Sequence, residues 1–216
     1  MWNQLMLRHY YLISVAIIAL AFLVFFFCYE KKKPQAREIV TLAVMSAIAI
    51  ASRAAFAMVP FFKPMMGIIM ITGMAFGGGA GFLTGAVTGF VSNFIFGQGP
   101  WTPWQMFAYG VGGALAGFLA KKGIMSEEKK LPTAIIGYVI IQLIVGPILD
   151  TSSVFTMGGS MQAGYALAIY GSGVIPNAIH GLATFLTLLL ACKPLMEKLN
   201  RMKLKYGMMC EDSDEI

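Results

Sequence analysis

Apolar runs of near-membrane length, broken by short polar or basic stretches, make up most of the chain. About twenty apolar residues cross a bilayer. On that measure the pattern predicts seven spans, at residues 10–29, 37–59, 65–78, 80–96, 104–120, 132–150 and 164–192. The third is short, reaching only about 20 Å at 1.5 Å per residue. It follows Pro60 and Pro64 and ends in Gly77-Gly78-Gly79, so a tilted, broken or re-entrant element is expected. Irregular backbone at membrane depth persists only where protein or a cavity shields it, and a short span therefore points to a cavity. The last run is too long for one straight crossing. Gly171-Ser172-Gly173 and Pro176 predict a kink there, or a start lying along the outer surface. The first run exceeds the roughly 7–15 apolar residues of a signal peptide and lacks a small-residue cleavage site. It reads as a span, with a retained signal anchor as the alternative.

Charge sets the topology. The chain is 58% hydrophobic and 12% charged, with a mean hydropathy of +0.74. A soluble domain carries about 25% charged residues, so an integral membrane protein in a lipid bilayer is expected. Lys31, Lys32, Lys33 and Arg37 form one basic segment, and Lys121, Lys122, Lys129 and Lys130 a second. Lys193, Lys198, Arg201, Lys203 and Lys205 form a third. Seven spans place all three on one face, which the positive-inside rule makes cytoplasmic. The N-terminus is then outside and the C-terminus inside. The net charge of +6 follows from this topology and gives no support to nucleic-acid binding. The terminal CEDSDEI is acidic and expected to be disordered. Cys28, Cys192 and Cys210 form neither a metal spacing nor a disulfide framework.

The chemistry of catalysis is missing from the motifs. There is no phosphate-binding G-x-x-x-x-G-K-[ST], no H-E-x-x-H and no G-x-S-x-G. Gly77-Gly78-Gly79-Ala80-Gly81 lacks the lysine of a phosphate loop and reads as a turn and packing element; Gly171-Ser172-Gly173 reads as close packing. The two histidines, His9 and His180, lie far apart in sequence. An enzyme is not expected, and neither a metal nor a cofactor bound by this chain.

Polar groups within spans are expensive and are functional candidates by default. Arg53, Asn93 and Asp150 fall near the outer ends of their spans, Lys63 in an outer loop, and Asn177 and His180 one helical turn apart in the last span. Each has a structural alternative: Arg53 snorkelling, Asp150 capping or pairing with it, Asn177 bonding between helices. Between two spans lies FGQGPWTPWQMF, in which Gly97, Gly99, Pro100 and Pro103 build a stiff turn around Gln98, Trp101 and Trp104. The tryptophans suit either interface anchoring or the wall of a ligand site. Substrate contacts are expected from Arg53, Lys63, Asn93, Gln98, Trp101, Trp104, Asp150 and Asn177. Finally, Ala43, Ala47, Ala51 and Ala55 recur every fourth residue. Such a stripe lets helices approach closely in lipid, either within the chain or against a partner.

The stretches AREIVTLAVMSAIAIASRAAFAMVPFFKP, GIIMITGMAFGGGAGFLTGAVTGFVSNFIFGQGPWTPWQMFAYGVGGALAG and PNAIHGLATFLTLLLACKPLMEKLNRMKLKYG resemble the substrate-binding S component of energy-coupling factor (ECF) vitamin transporters. The resemblance covers residues 36–207. It implies an all-α, six-helix core preceded by an extra helix with a basic linker in residues 1–35, with 208–216 as the tail. It further implies that the chain captures a vitamin outside the cell, joins a transmembrane coupling protein and two ATPase subunits, and topples to release its cargo. ATP is then used by those partners, and the cell membrane of a bacterium is the implied location. The alanine stripe matches the family's coupling-protein contact. Specificity is implied for the Pro60–Pro64, Gly97–Trp104 and 151–163 loops. A corrinoid such as cobalamin is the substrate suggested by the subgroup that the GQGPWTPWQM loop resembles; Arg53 and Lys63 equally suit a pantothenate- or folate-like anion. A membrane scaffold and a solitary carrier are the other readings.

Overall fold

A computed structural model of the chain describes residues 36–156 and 163–208, with the isolated positions Leu12 and Ala16. Apart from those two positions, the predicted 10–29 span lies outside the described residues, as do 157–162 and the tail from 209 onward. Among the described residues the structure is helical throughout, without strands. The helices are α1 (Ala36–Ala55), α2 (Met65–Phe76), α3 (Gly78–Phe96), α4 (Thr102–Lys121), α5 (Lys130–Ile140), α6 (Gly146–Thr156) and α7 (Ala163–Tyr206). A π-helical turn, Ile141–Val145, joins α5 to α6, so the two act as one rod.

Four of these rods are long and apolar enough to cross a membrane: Ala36–Ala55, Gly78–Phe96, Lys130–Thr156 and Gly164–Tyr206. Helix α4 matches them in length, but Gly110, Gly112, Gly113 and Gly117 dilute its hydropathy. Helix α2 is apolar and short, about 18 Å for its 12 residues. Every one of those residues is buried, so α2 is the centre of the bundle and other helices shield it on all sides. The break after it falls at Gly77, whose φ of 92° only glycine adopts readily.

Backbones meet directly around α2. A Cβ on Gly117 would lie 2.5 Å from Gly78 N and 2.7 Å from Gly73 O, and one on Gly81 would lie 2.7 Å from Gly73 Cα. Gly85 abuts the Tyr109–Gly110 backbone, and Gly89 abuts Met106. Gly81, Gly85 and Gly89 thus form a small-residue stripe along α3, against which α4 lies. In lipid such close approach replaces the hydrophobic drive between helices.

Three elements gather at one end of the bundle. The Arg37 guanidinium lies 5.6 Å from the centre of the Tyr206 ring, Asn200 donates to Glu127 at 3.3 Å, and Met208 packs against Thr41. The loop lysines at 121–130 and the basic end of α7 therefore share an end, as the charge pattern predicted. Arg53, Asn93, the 97–104 loop and the end of α6 lie at the other.

Three boundaries differ from expectation. Helix α1 stops at Ala55, short of 59. Residues 151–156, expected as loop, continue α6. Helix α7 is one 44-residue helix that passes through Pro176 and Pro194 and continues to Tyr206. Proline is tolerated in membrane helices where neighbours and side chains satisfy the freed backbone groups. The π turn has a related cause: Pro147 has no N–H to continue the i−4 ladder, and the Gly146 N–H reaches back five residues to Ile141 O.

Candidate functional site

Helix α1 carries Glu38 in its first turn and Arg53 in its last, the order that the helix dipole favours. Arg53 is buried and does not snorkel. Its Nη1 donates to Ser92 Oγ and, at 3.1 Å, to Asn93 Oδ1, and its guanidinium lies 4.4 Å from the centre of the Phe96 ring. Asn93 passes the network on, its Nδ2 donating to Gln105 Oε1 at 2.8 Å and Thr102 Oγ1 at 3.1 Å. Thr102 in turn donates to Gln98 Oε1 at 2.9 Å and accepts from Gly99 N. Gln98 Nε2 closes the chain on Phe90 O at 3.0 Å. The Gly97–Trp104 loop is therefore tied through side chains to the ends of α1 and α3.

The two tryptophans of that loop have different surroundings. Trp101 is 38% exposed and folds its ring over Gly99, where a Cβ would meet it. Trp104 is buried and stacks on Phe155 of α6, with ring centres 5.7 Å apart and planes at 23°. Interface anchoring therefore remains a role for Trp101 and not for Trp104.

Asp150 does not pair with Arg53. It accepts from Asn177 Nδ2 at 2.8 Å, and its carboxylate lies against Gly173, which has no room for a side chain. Gly146 likewise gives way to the Asn177 amide. The expected bond between helices through Asn177 is thus present, and Gly173 is the close-packing element of the Gly-Ser-Gly segment. Lys63 is half-buried in the loop before α2. It lies within electrostatic reach of His180, as does Arg53.

Sequence reasoning missed Tyr109, Ser92, Thr102, Gln105 and Phe155. Tyr109 is fully buried and meets the His180 ring edge-on at 6.4 Å. Ser92 belongs to a visible pattern: Thr84, Thr88 and Ser92 recur every fourth residue along α3, and all are buried. Ala43, Ala47, Ala51 and Ala55 are exposed, so the described residues do not bury the stripe against another helix of the chain.

A family model described as "ECF-type riboflavin transporter, S component" matches residues 33–198. The chain belongs to that family. No curated protein and no solved structure matches it. It is therefore a multi-pass membrane S component of an ECF-type vitamin transporter, a transporter class and not an enzyme class. S components work with a transmembrane and an ATPase module. The family's description names riboflavin and gives the corrinoid no support.

Proposed function

We propose that the chain captures a flat heteroaromatic vitamin of riboflavin's class at the Arg53–Trp104 end of the bundle. The match over residues 33–198 to a riboflavin-transporter S component carries this reading. The Trp104–Phe155 stack supports it, because a buried aromatic wall complements a planar ring system. Trp104, Lys63 and His180 are the proposed ligand contacts. Arg53, Asn93 and Gln98 hold the loop, Asp150 and Asn177 fix α6 to α7, and Trp101 forms the rim.

In this reading the Trp104 end faces outside and the basic end faces the cytoplasm of a bacterial cell. Ala43, Ala47, Ala51 and Ala55 form the surface for the coupling protein, and the partner ATPase subunits use the ATP. Purified chain in detergent should bind riboflavin and should hydrolyse no ATP unless those subunits co-purify. Robust hydrolysis by the isolated chain would contradict the assignment.

A further inference from the structure

Several buried polar atoms among the described residues have no hydrogen-bond partner, Trp104 Nε1 and Thr88 Oγ1 among them, and Tyr109 and His180 are the two whose rings also meet. Tyr109 Oη and His180 Nε2 are buried with no hydrogen-bond partner among the described residues. Tyr109 is 0% and His180 4% exposed. The two rings meet edge-on at 6.4 Å, so the two polar atoms belong to one locality without satisfying each other. Native proteins pair nearly all buried polar side-chain atoms, and an unpaired one has a cause.

The surroundings limit what fills this need. Lys63 and Arg53 lie within electrostatic reach of His180. The carboxylate of Asp150 on α6 is held by Asn177, one turn before His180 on α7. The locality is therefore electropositive, and Tyr109 brings a hydroxyl donor to it. The complement is an electron-rich group carrying oxygen or nitrogen acceptors.

We propose that Tyr109 Oη and His180 Nε2 form the polar floor of the vitamin site and bond the acceptor-bearing edge of the ligand's ring system. A ring edge that presents carbonyl acceptors, as in a pyrimidinedione, has the required chemistry. This assignment rests on the reading of the chain as an S component for a flat heteroaromatic vitamin, and it adds which side chains read the ring and which edge they read.

The consequence has an unusual sign. A tyrosine hydroxyl kept for the fold stabilises the free protein, whereas one kept for a ligand leaves the free protein with an unpaired buried group. Tyr109→Phe keeps the ring and removes only Oη. In detergent, the ligand-free variant should melt at the same temperature as the parent or higher. Its affinity for riboflavin, read by quenching of flavin fluorescence, should fall by roughly five- to hundred-fold, the loss expected when a buried acceptor is left unpaired. His180→Leu provides an independent second variant with the same expectation for affinity. A lower melting temperature for Tyr109→Phe, or unchanged affinity in both variants, overturns the proposal. If the parent protein does not bind riboflavin, the flavin reading fails, and the floor is then tested on whatever small molecule co-purifies. Mass spectrometry should find less of it on Tyr109→Phe than on the parent, and equal amounts overturn the floor as well.

Discussion

The two ends of α3 are held in opposite ways. Over Gly81, Gly85 and Gly89 the helix lies with its backbone directly against the backbone of α4. At Ser92 and Asn93 it is held by directional bonds from Arg53 and to Thr102 and Gln105. The first arrangement tolerates no added atom and fixes the bundle. The second is a chain of polar contacts that can break and re-form, and it ends on the loop beside Trp104. If the Trp104 end is the mouth of the proposed site, a close-packed glycine seam below and a polar network above are the division a capture protein needs.

The sharpest way to break this comparison is Gly113→Val. A Cβ there would lie 2.6 Å from the Gly81 carbonyl carbon and 2.8 Å from Ile69 Cγ2. Overpacking a core costs about 1–3 kcal/mol, and a backbone obstacle that cannot rotate away places this variant at the upper end. Thermal stability in detergent should fall sharply, with loss of monodisperse protein. A variant that melts like the parent would show that the seam is not rigid.

Trp104→Ala addresses the mouth. Loss of a good aromatic contact costs more than about 2 kcal/mol, roughly thirtyfold in affinity, and riboflavin titration should show it. Trp101→Ala, at the rim, should change affinity by less than about threefold. Equal losses in the two variants would erase the distinction between wall and rim.

Ala47→Leu tests the outer face of α1, whose inner face carries Arg53. Bulk on a close-approach surface should weaken assembly with the coupling protein by roughly five- to hundred-fold. Riboflavin binding should stay unchanged, because the exposed stripe touches neither network nor wall. Pull-down and titration should therefore diverge; parallel loss would mean that the stripe supports the chain's own fold.

The smallest effect is expected at Gly171, where a Cβ would meet nothing within 4 Å. Gly171→Ala removes a flexible residue from a helix and should stabilise by about 0.5–1 kcal/mol, seen as a modest rise in melting temperature. Set beside Gly113, it separates glycines needed for contact from glycines that are not.

Much of this division was legible in the sequence. The short 65–78 run, flanked by prolines and glycines, read as a tilted, broken or re-entrant element beside a cavity, whereas α2 is a regular helix with every residue buried. The basic segments marked one end, since their spacing matched the alternation of spans. Arg53 and Asn93 stood out as polar groups in apolar runs. Periodicity along one helix does not show which neighbour meets it, so the contacts of Asn177 and Arg53 and the partner of the Gly81–Gly89 stripe stayed open. Tyr109 passed as one more aromatic in a greasy helix, since its orphaned hydroxyl exists only in three dimensions. Trp101 and Trp104 are three residues apart in a loop that leads into a helix, and only the packing of α6 against α4 separates their roles. Pro176 read as the site of a kink, and α7 is one helix through it, because a proline's cost in water does not carry over to a packed membrane helix.

The most direct test of the central claim is riboflavin binding by the purified chain. Protein passed through size exclusion after incubation with riboflavin should retain it at about one per chain, with the flavin fluorescence quenched by the aromatic wall and the bound molecule recovered by mass spectrometry. No retained flavin, together with retention of cobalamin, pantothenate or folate under the same conditions, would contradict the account.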